Sequence, residues 1–119
     1  MKTKGVVIDA SYVMSWLLPD ERSPEPLREA KIAPELLRYE VINSLRSAVK
    51  QRRVDPETSE GLLKEFGKWN VEYVKMPEIE VLRTALNNNI SGYDACYVWL
   101  AKEKGAELLT FDKKLVKLV

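Results

Sequence analysis

The stretch Gly5-Val6-Val7-Ile8-Asp9-Ala10-Ser11 sets three β-branched residues directly before an aspartate and a serine. A β-branched run without alternation reads as a strand buried on both faces, the type found in parallel sheets. A parallel partner requires a crossover, and helical patterns follow. Ser11 is the predicted N-cap of a helix over Tyr12–Leu18, stopped by Pro19-Asp20. Asp20–Ala30 is polar and irregular, with one helical turn expected over Pro26–Ala30. Pro34 is the predicted first residue of a long helix, with Leu36, Leu37, Val41, Leu45, Ala48 and Val49 on its apolar face. Asp55-Pro56-Glu57 opens a further helix, and Val71–Val74 alternates like a strand. Met76-Pro77-Glu78 starts a helix that Asn87-Asn88-Asn89 ends. Ser91 caps Gly92–Lys104, which Gly105 terminates. Leu108–Thr110 is a last strand, and Asp112 caps Lys113–Leu118. Strands alternating with helices predict an α/β fold, a mainly parallel sheet covered on both faces, in a single domain over residues 1–119.

Composition narrows the chemistry. The 119 residues are 45% hydrophobic and 31% charged, which supports a packed core and rules out whole-chain disorder. No apolar run is long enough to span a membrane, and MKTKG does not read as a signal peptide, so a cytoplasmic protein is expected. One cysteine, Cys96, excludes an internal disulfide and a multi-cysteine zinc site. The absence of histidine excludes Ser-His-Asp and Cys-His nucleophilic schemes. The net charge of +1 leaves nucleic-acid binding to a local patch.

Ligands of such folds sit at the carboxyl ends of the strands, where the following helices begin. Asp9 follows the first strand and Asp112 the last. Asp94 lies in the first turn of the Ser91-capped helix, and Glu40 in the second turn of the Pro34 helix. Four carboxylates are thus expected on one edge. Gathered carboxylates resist ionisation unless cations compensate them. Oxygen ligands without histidine or thiolate suit Mg²⁺ or Mn²⁺. Each acid also admits a purely structural reading. Asp9 and Asp112 could be turn residues or caps, Asp94 a first-turn acid favoured by the helix dipole, and Glu40 a solvated surface residue.

These residues resemble the PIN domain, and within it the VapC-type toxins of prokaryotic toxin–antitoxin pairs. The resemblance lies in Val7–Ser11, Ala33–Leu45, Ser91–Tyr97 and Leu108–Asp112, in the family's order and spacing. It implies a three-layer α/β/α sandwich and an Mg²⁺- or Mn²⁺-dependent endoribonuclease. It implies a homodimer and a cognate antitoxin that blocks the site. Its acidic positions map onto Asp9, Glu40, Asp94 and Asp112 as catalytic and metal-binding residues. Ser11 and Thr110 match hydroxyls that line or support the metal site, and Asn43 matches a polar position beside it. Asp20–Ile32 is shorter than the family's pattern, so the second strand and the helix before it are expected to be reduced or missing.

A phosphate backbone needs cations. Arg46 and Lys50, with Arg52 and Arg53, form one basic stretch; Lys113, with Lys114 and Lys117, forms another. Arg46, Lys50 and Lys113 are the candidate RNA contacts, against the alternative of ordinary charge at helix C-termini. Trp69, Trp99, Tyr93 and Tyr97 could stack bases or belong to the core. The first helix, apolar nearly all round through Trp16, is expected to face a dimer or antitoxin partner unless it is wholly buried. The rival functions are a catalytically silent PIN-like module that binds RNA or protein, a phosphotransfer domain and a purely structural subunit. A phosphotransfer domain would place an aspartate where Ser11 stands, and a structural subunit leaves Glu40 unexplained beside an apolar face.

Overall fold

The structure, a computed structural model, describes residues 5–21 and 28–119. The chain begins with β1 (Val6–Ile8), all three residues buried, and turns at Asp9 into α1 (Ala10–Leu17). The N-cap of α1 is Asp9 rather than Ser11. Asp9 is extended and its Oδ1 accepts the Tyr12 N–H at 3.0 Å. Ser11 already lies inside the helix, and its hydroxyl donates back to Asp9.

A second strand, β2 (Lys31–Pro34), stands where a reduced or missing one was expected. Pro34 closes this strand instead of opening a helix, and pairs with Val74. Proline supplies no N–H to a ladder, so the last position of a strand suits it. The helix begins three residues later as α2 (Leu37–Lys50). The turn expected over Pro26–Ala30 lies in part outside the described residues. The remaining elements fall close to their predicted positions: α3 (Pro56–Gly67), β3 (Val71–Val74), α4 (Glu78–Asn88), α5 (Gly92–Lys104), β4 (Glu107–Leu109) and α6 (Lys113–Val116). Asn89 and Gly105 end α4 and α5 in the left-handed region, which relieves the last carbonyls of each helix.

The four strands are all parallel, in the order β3-β2-β1-β4. Right-handed crossovers from β1 to β2 to β3 put α1, α2 and α3 on one face. The return from β3 to β4 reverses direction and puts α4 and α5 on the other. The helix contacts agree, α1 packing on α2 and α3, α4 on α5, and α5 on β1, β2 and β4. The fold is a three-layer α/β/α sandwich. β1 and β4 lie side by side, so Ile8 and Leu109 pair and the residues after them emerge together. Before β1 the fit is close, since a Cβ on Gly5 would lie 2.7 Å from Ile32 Cδ1 and 2.9 Å from the Ala30 carbonyl oxygen.

α1 is a core helix. Tyr12, Val13, Met14 and Leu17 are buried, and Trp16 is half-buried against the same core. The expectation of a partner face at Trp16 therefore gives way to burial within the chain. Among the described residues no helix is long and apolar enough to cross a membrane.

Candidate active site

Asp9 is the most heavily bonded acid of the sheet edge. Its Oδ1 accepts the Ser11 hydroxyl at 2.7 Å and the Tyr12 N–H, and its Oδ2 accepts the Thr110 hydroxyl. Thr110 Oγ1 in turn accepts the Asp112 N–H at 3.0 Å, and Ser11 Oγ accepts the Phe111 N–H at 3.0 Å. Parallel pairing of β1 with β4 makes this possible by bringing residues 9–11 beside residues 110–112. Asp9 is therefore a helix cap and more, because a cap alone needs neither hydroxyl. Ser11 and Thr110 fall where the sequence placed supporting residues.

Glu40 sits in the first turn of α2, half-buried, and its Oε1 accepts the Tyr97 hydroxyl. Burial pushes the Glu40 carboxyl above its ordinary value, and the charges of Asp9 and Asp94 add to the rise; the Tyr97 hydroxyl opposes it. The reading of Glu40 as a solvated surface residue does not survive this. Tyr97 is 2% exposed, so it cannot stack RNA, and its role beside Glu40 was not read from the sequence. The available signals were its place one turn after Asp94 on α5 and the need of a half-buried glutamate for a donor.

Asp94 lies in the first turn of α5, with its own N–H donating to the Ser91 hydroxyl at 3.0 Å. Burial raises its carboxyl, followed by the charge of Asp112, with a further rise from Asp9. Asp112 is exposed and caps α6 by accepting the Lys114 N–H at 2.9 Å. The electrostatic contacts thus link Asp9 with Glu40, Asp9 with Asp94, Glu40 with Asp94, and Asp94 with Asp112. All four acids occupy one end of the sheet.

The donor set here is oxygen alone, from carboxylates with hydroxyls beside them, and among the described residues none of the four acids is in a salt bridge. That chemistry fits a hard divalent cation. Among the described residues no three acidic or thiol side chains close into a cage. A cation that keeps much of its water, bound through one or two carboxylates, fits such an open arrangement. Cys96 is buried in a small cluster with Val81, Ala85 and Ala95, where burial pushes its thiol up and leaves it inert.

Asn43, one turn beyond Glu40, borders a cleft between α1 and α2 that Ser11 and Phe111 also line. Arg46 and Lys50 are exposed on α2 and do not line this cleft, and Lys113 is exposed beside Asp112. Arg53 does line the cleft but is engaged, its Nε and Nη2 each 2.8 Å from Asp20. Among the aromatics, Trp69 packs edge-on against Phe66, whereas Tyr93 is exposed.

Comparison with known proteins adds four relations. The PIN domain family model matches residues 6–119. Ribonuclease VapC3 of Pyrobaculum aerophilum is 31% identical over 121 aligned positions, which span 94% of this chain and 92% of that protein. The crystal structure of PAE2754 from Pyrobaculum aerophilum superposes with a TM-score of 0.76 at 27% identity, covering 98% of this chain and 80% of the other. The crystal structure of VapC20 from Mycobacterium tuberculosis, described as a toxin that cleaves the sarcin–ricin loop, superposes with a TM-score of 0.67 over 95% and 94% of the two chains. At 12% identity that last likeness concerns the fold alone.

Proposed function

The chain belongs to the PIN domain family, and we propose that it is a divalent-metal-dependent endoribonuclease, the toxin of a toxin–antitoxin pair. The observation that carries this reading is the chain of electrostatic influence that joins Asp9, Glu40 and Asp94 and, through Asp94, reaches Asp112, four acids from separate places in the sequence. The relation to Ribonuclease VapC3 over nearly the whole of both chains supports RNA as the substrate.

In this reading Asp9, Glu40, Asp94 and Asp112 would draw in Mg²⁺ or Mn²⁺, one or two of them binding an ion directly. A divalent ion bound there would supply a water of lowered pKa and charge stabilisation for the leaving oxygen of a phosphodiester. The protein's own part is positional. Ser11, Thr110 and the Tyr12 N–H fix both oxygens of Asp9. Tyr97 donates to Oε1 of Glu40 and would hold that carboxylate in orientation for a cation. Asp94 and Asp112 complete the negative field, and Asn43 borders it. Lys113, and further out Arg46 and Lys50, receive the RNA backbone, whose affinity rests on such contacts. The working form is a cytoplasmic homodimer checked by an antitoxin. The exposed stripe Ile79, Leu82 and Leu86 on α4 supports self-association, since water disfavours such a row.

Asp9→Asn tests the assignment. Asparagine remains a good N-cap, so α1 keeps its start while the charge is lost. RNA cleavage by the wild type should respond to Mg²⁺ or Mn²⁺ and fall by about 100-fold or more in the variant. Cleavage that ignores both ions, or an Asp9→Asn protein of full activity, overturns the reading. A wild type that binds RNA and never cuts it is the silent module instead.

A further inference from the structure

A cleft of about 350 Å³ runs along α2 from Ser11 and Asn43 toward the helix C-terminus. Such a volume falls within the range of small-ligand sites. Ser11, Asn43 and Phe111 line it at the acidic end; Ser44, Ser47 and Gln51 continue it along the helix. Ser11 belongs to both places, because the hydroxyl that lines the cleft donates to Asp9.

The cleft has an unusual chemistry for this chain. In a sequence that is 31% charged, its α2 side is a row of neutral hydroxyls and amides, including the only glutamine. At the far end the one cation is outnumbered by the two acids it pairs with. Arg53 holds Asp20 through two contacts of 2.8 Å and Glu21 through one of 3.2 Å. A phosphate or carboxylate therefore finds no unengaged cation among these lining residues. The Phe111 ring is 54% exposed at the entrance and stacks on Tyr12 with centroids 6.5 Å apart. Neutral donors and acceptors beside an open aromatic ring suit a flat, uncharged body with hydrogen-bonding edges. A nucleobase is such a body, and single-stranded RNA presents its bases splayed for stacking and edge reading.

We infer that this cleft seats one nucleoside of the RNA, next to the phosphate that is cut, and sets the base preference there. The inference rests on the ribonuclease reading. It makes the cleft a selectivity element separate from the carboxylates.

The test compares two kinds of diester. One is a set of short oligoribonucleotides differing only in the bases flanking the cut. The other is bis(p-nitrophenyl) phosphate, which has no base. Ser47→Leu fills the cleft two turns of α2 beyond Glu40, and Gln51→Ala trims its exposed end. Ser47→Leu should hydrolyse bis(p-nitrophenyl) phosphate like the wild type, while its KM for RNA rises about tenfold and its discrimination among bases flattens. Gln51→Ala should move the same quantities in the same direction by less, and it decides the matter if Ser47→Leu does not fold. Unchanged KM and base preference in the folded variants overturns the inference. So does equal loss on both diesters, which would make the cleft part of the carboxylate site. Unchanged RNA handling with weakened inhibition by a protein partner also overturns it, and marks the cleft as a protein-docking groove. A wild type that hydrolyses the baseless diester and no RNA defeats the ribonuclease reading instead.

Discussion

The Tyr97 hydroxyl and Oε1 of Glu40 form a hydrogen bond between α5 and α2, 57 positions apart in sequence. The phenol is buried, and burial together with the neighbouring carboxylate pushes it far above its ordinary value. It thus holds its proton, and its place as donor to Glu40, more firmly than a free phenol. Its hydrogen bond favours the ionised form of Glu40 and opposes the rise that burial causes.

Tyr97→Phe keeps the ring and removes only the donor. Its affinity for Mn²⁺ should fall about tenfold, the usual scale for losing a group that orients a ligand. Titration calorimetry on the wild type, Tyr97→Phe, Glu40→Gln and the double variant measures this. Because Tyr97 acts through Glu40, adding Tyr97→Phe to Glu40→Gln should change nothing more. Additive losses would assign Tyr97 a purely structural role.

Glu40 and Asp94 both have carboxyls raised in the folded protein, chiefly by burial. A raised acid favours the folded state at low pH and loses that contribution as pH rises through its folded value. Without metal, Asp94→Asn should therefore melt a few degrees above the wild type near neutral pH. The difference should vanish below about pH 4, where an ordinary aspartate is itself protonated. Millimolar Mg²⁺ should raise the wild-type Tm and narrow the gap. A gap that persists in acid would mean that charge is not its source.

What the sequence discloses and what it hides divide along a physical line. Asp55, Ser91 and Asp112 cap helices at their predicted places because capping is local, a side chain meeting an N–H two or three residues on. β2 was not legible. Its Lys-Ile-Ala-Pro run is short, and it is a strand because β1 and β3 flank it on both sides, which no local pattern announces. Pro34 misled for the same reason, since the proline that suits a helix start also suits the end of a strand. The acidic positions stood out as residues, and Glu40 stood out for lying beside an apolar face. The partners Tyr97 and Phe111 did not, because their roles come from helices and strands meeting in space.

The α4 stripe gives a separate prediction. Ile79, Leu82 and Leu86 are 63%, 55% and 72% exposed and lie three and four residues apart, on one face. Leu86→Glu should convert a dimer to a monomer by light scattering without altering the far-UV spectrum. An unchanged mass would move self-association to another surface.

Gly5→Ala tests the close approach at the entry to β1. The added methyl meets both the Ile32 side chain and the Ala30 carbonyl, and the carbonyl belongs to the backbone. Overpacking of this kind costs roughly 1–3 kcal/mol. The melting temperature should fall accordingly, and an unchanged Tm would show that the turn yields freely.

Thr110 reaches Asp9 across 101 positions. A polypeptide leaves the ribosome with its N-terminus first. While Asp9 and α1 are already outside, the hydroxyl that steadies Asp9 and the acid at position 112 have not yet been made. The four acids and the hydroxyl that steadies Asp9 therefore come together only once synthesis has passed Asp112.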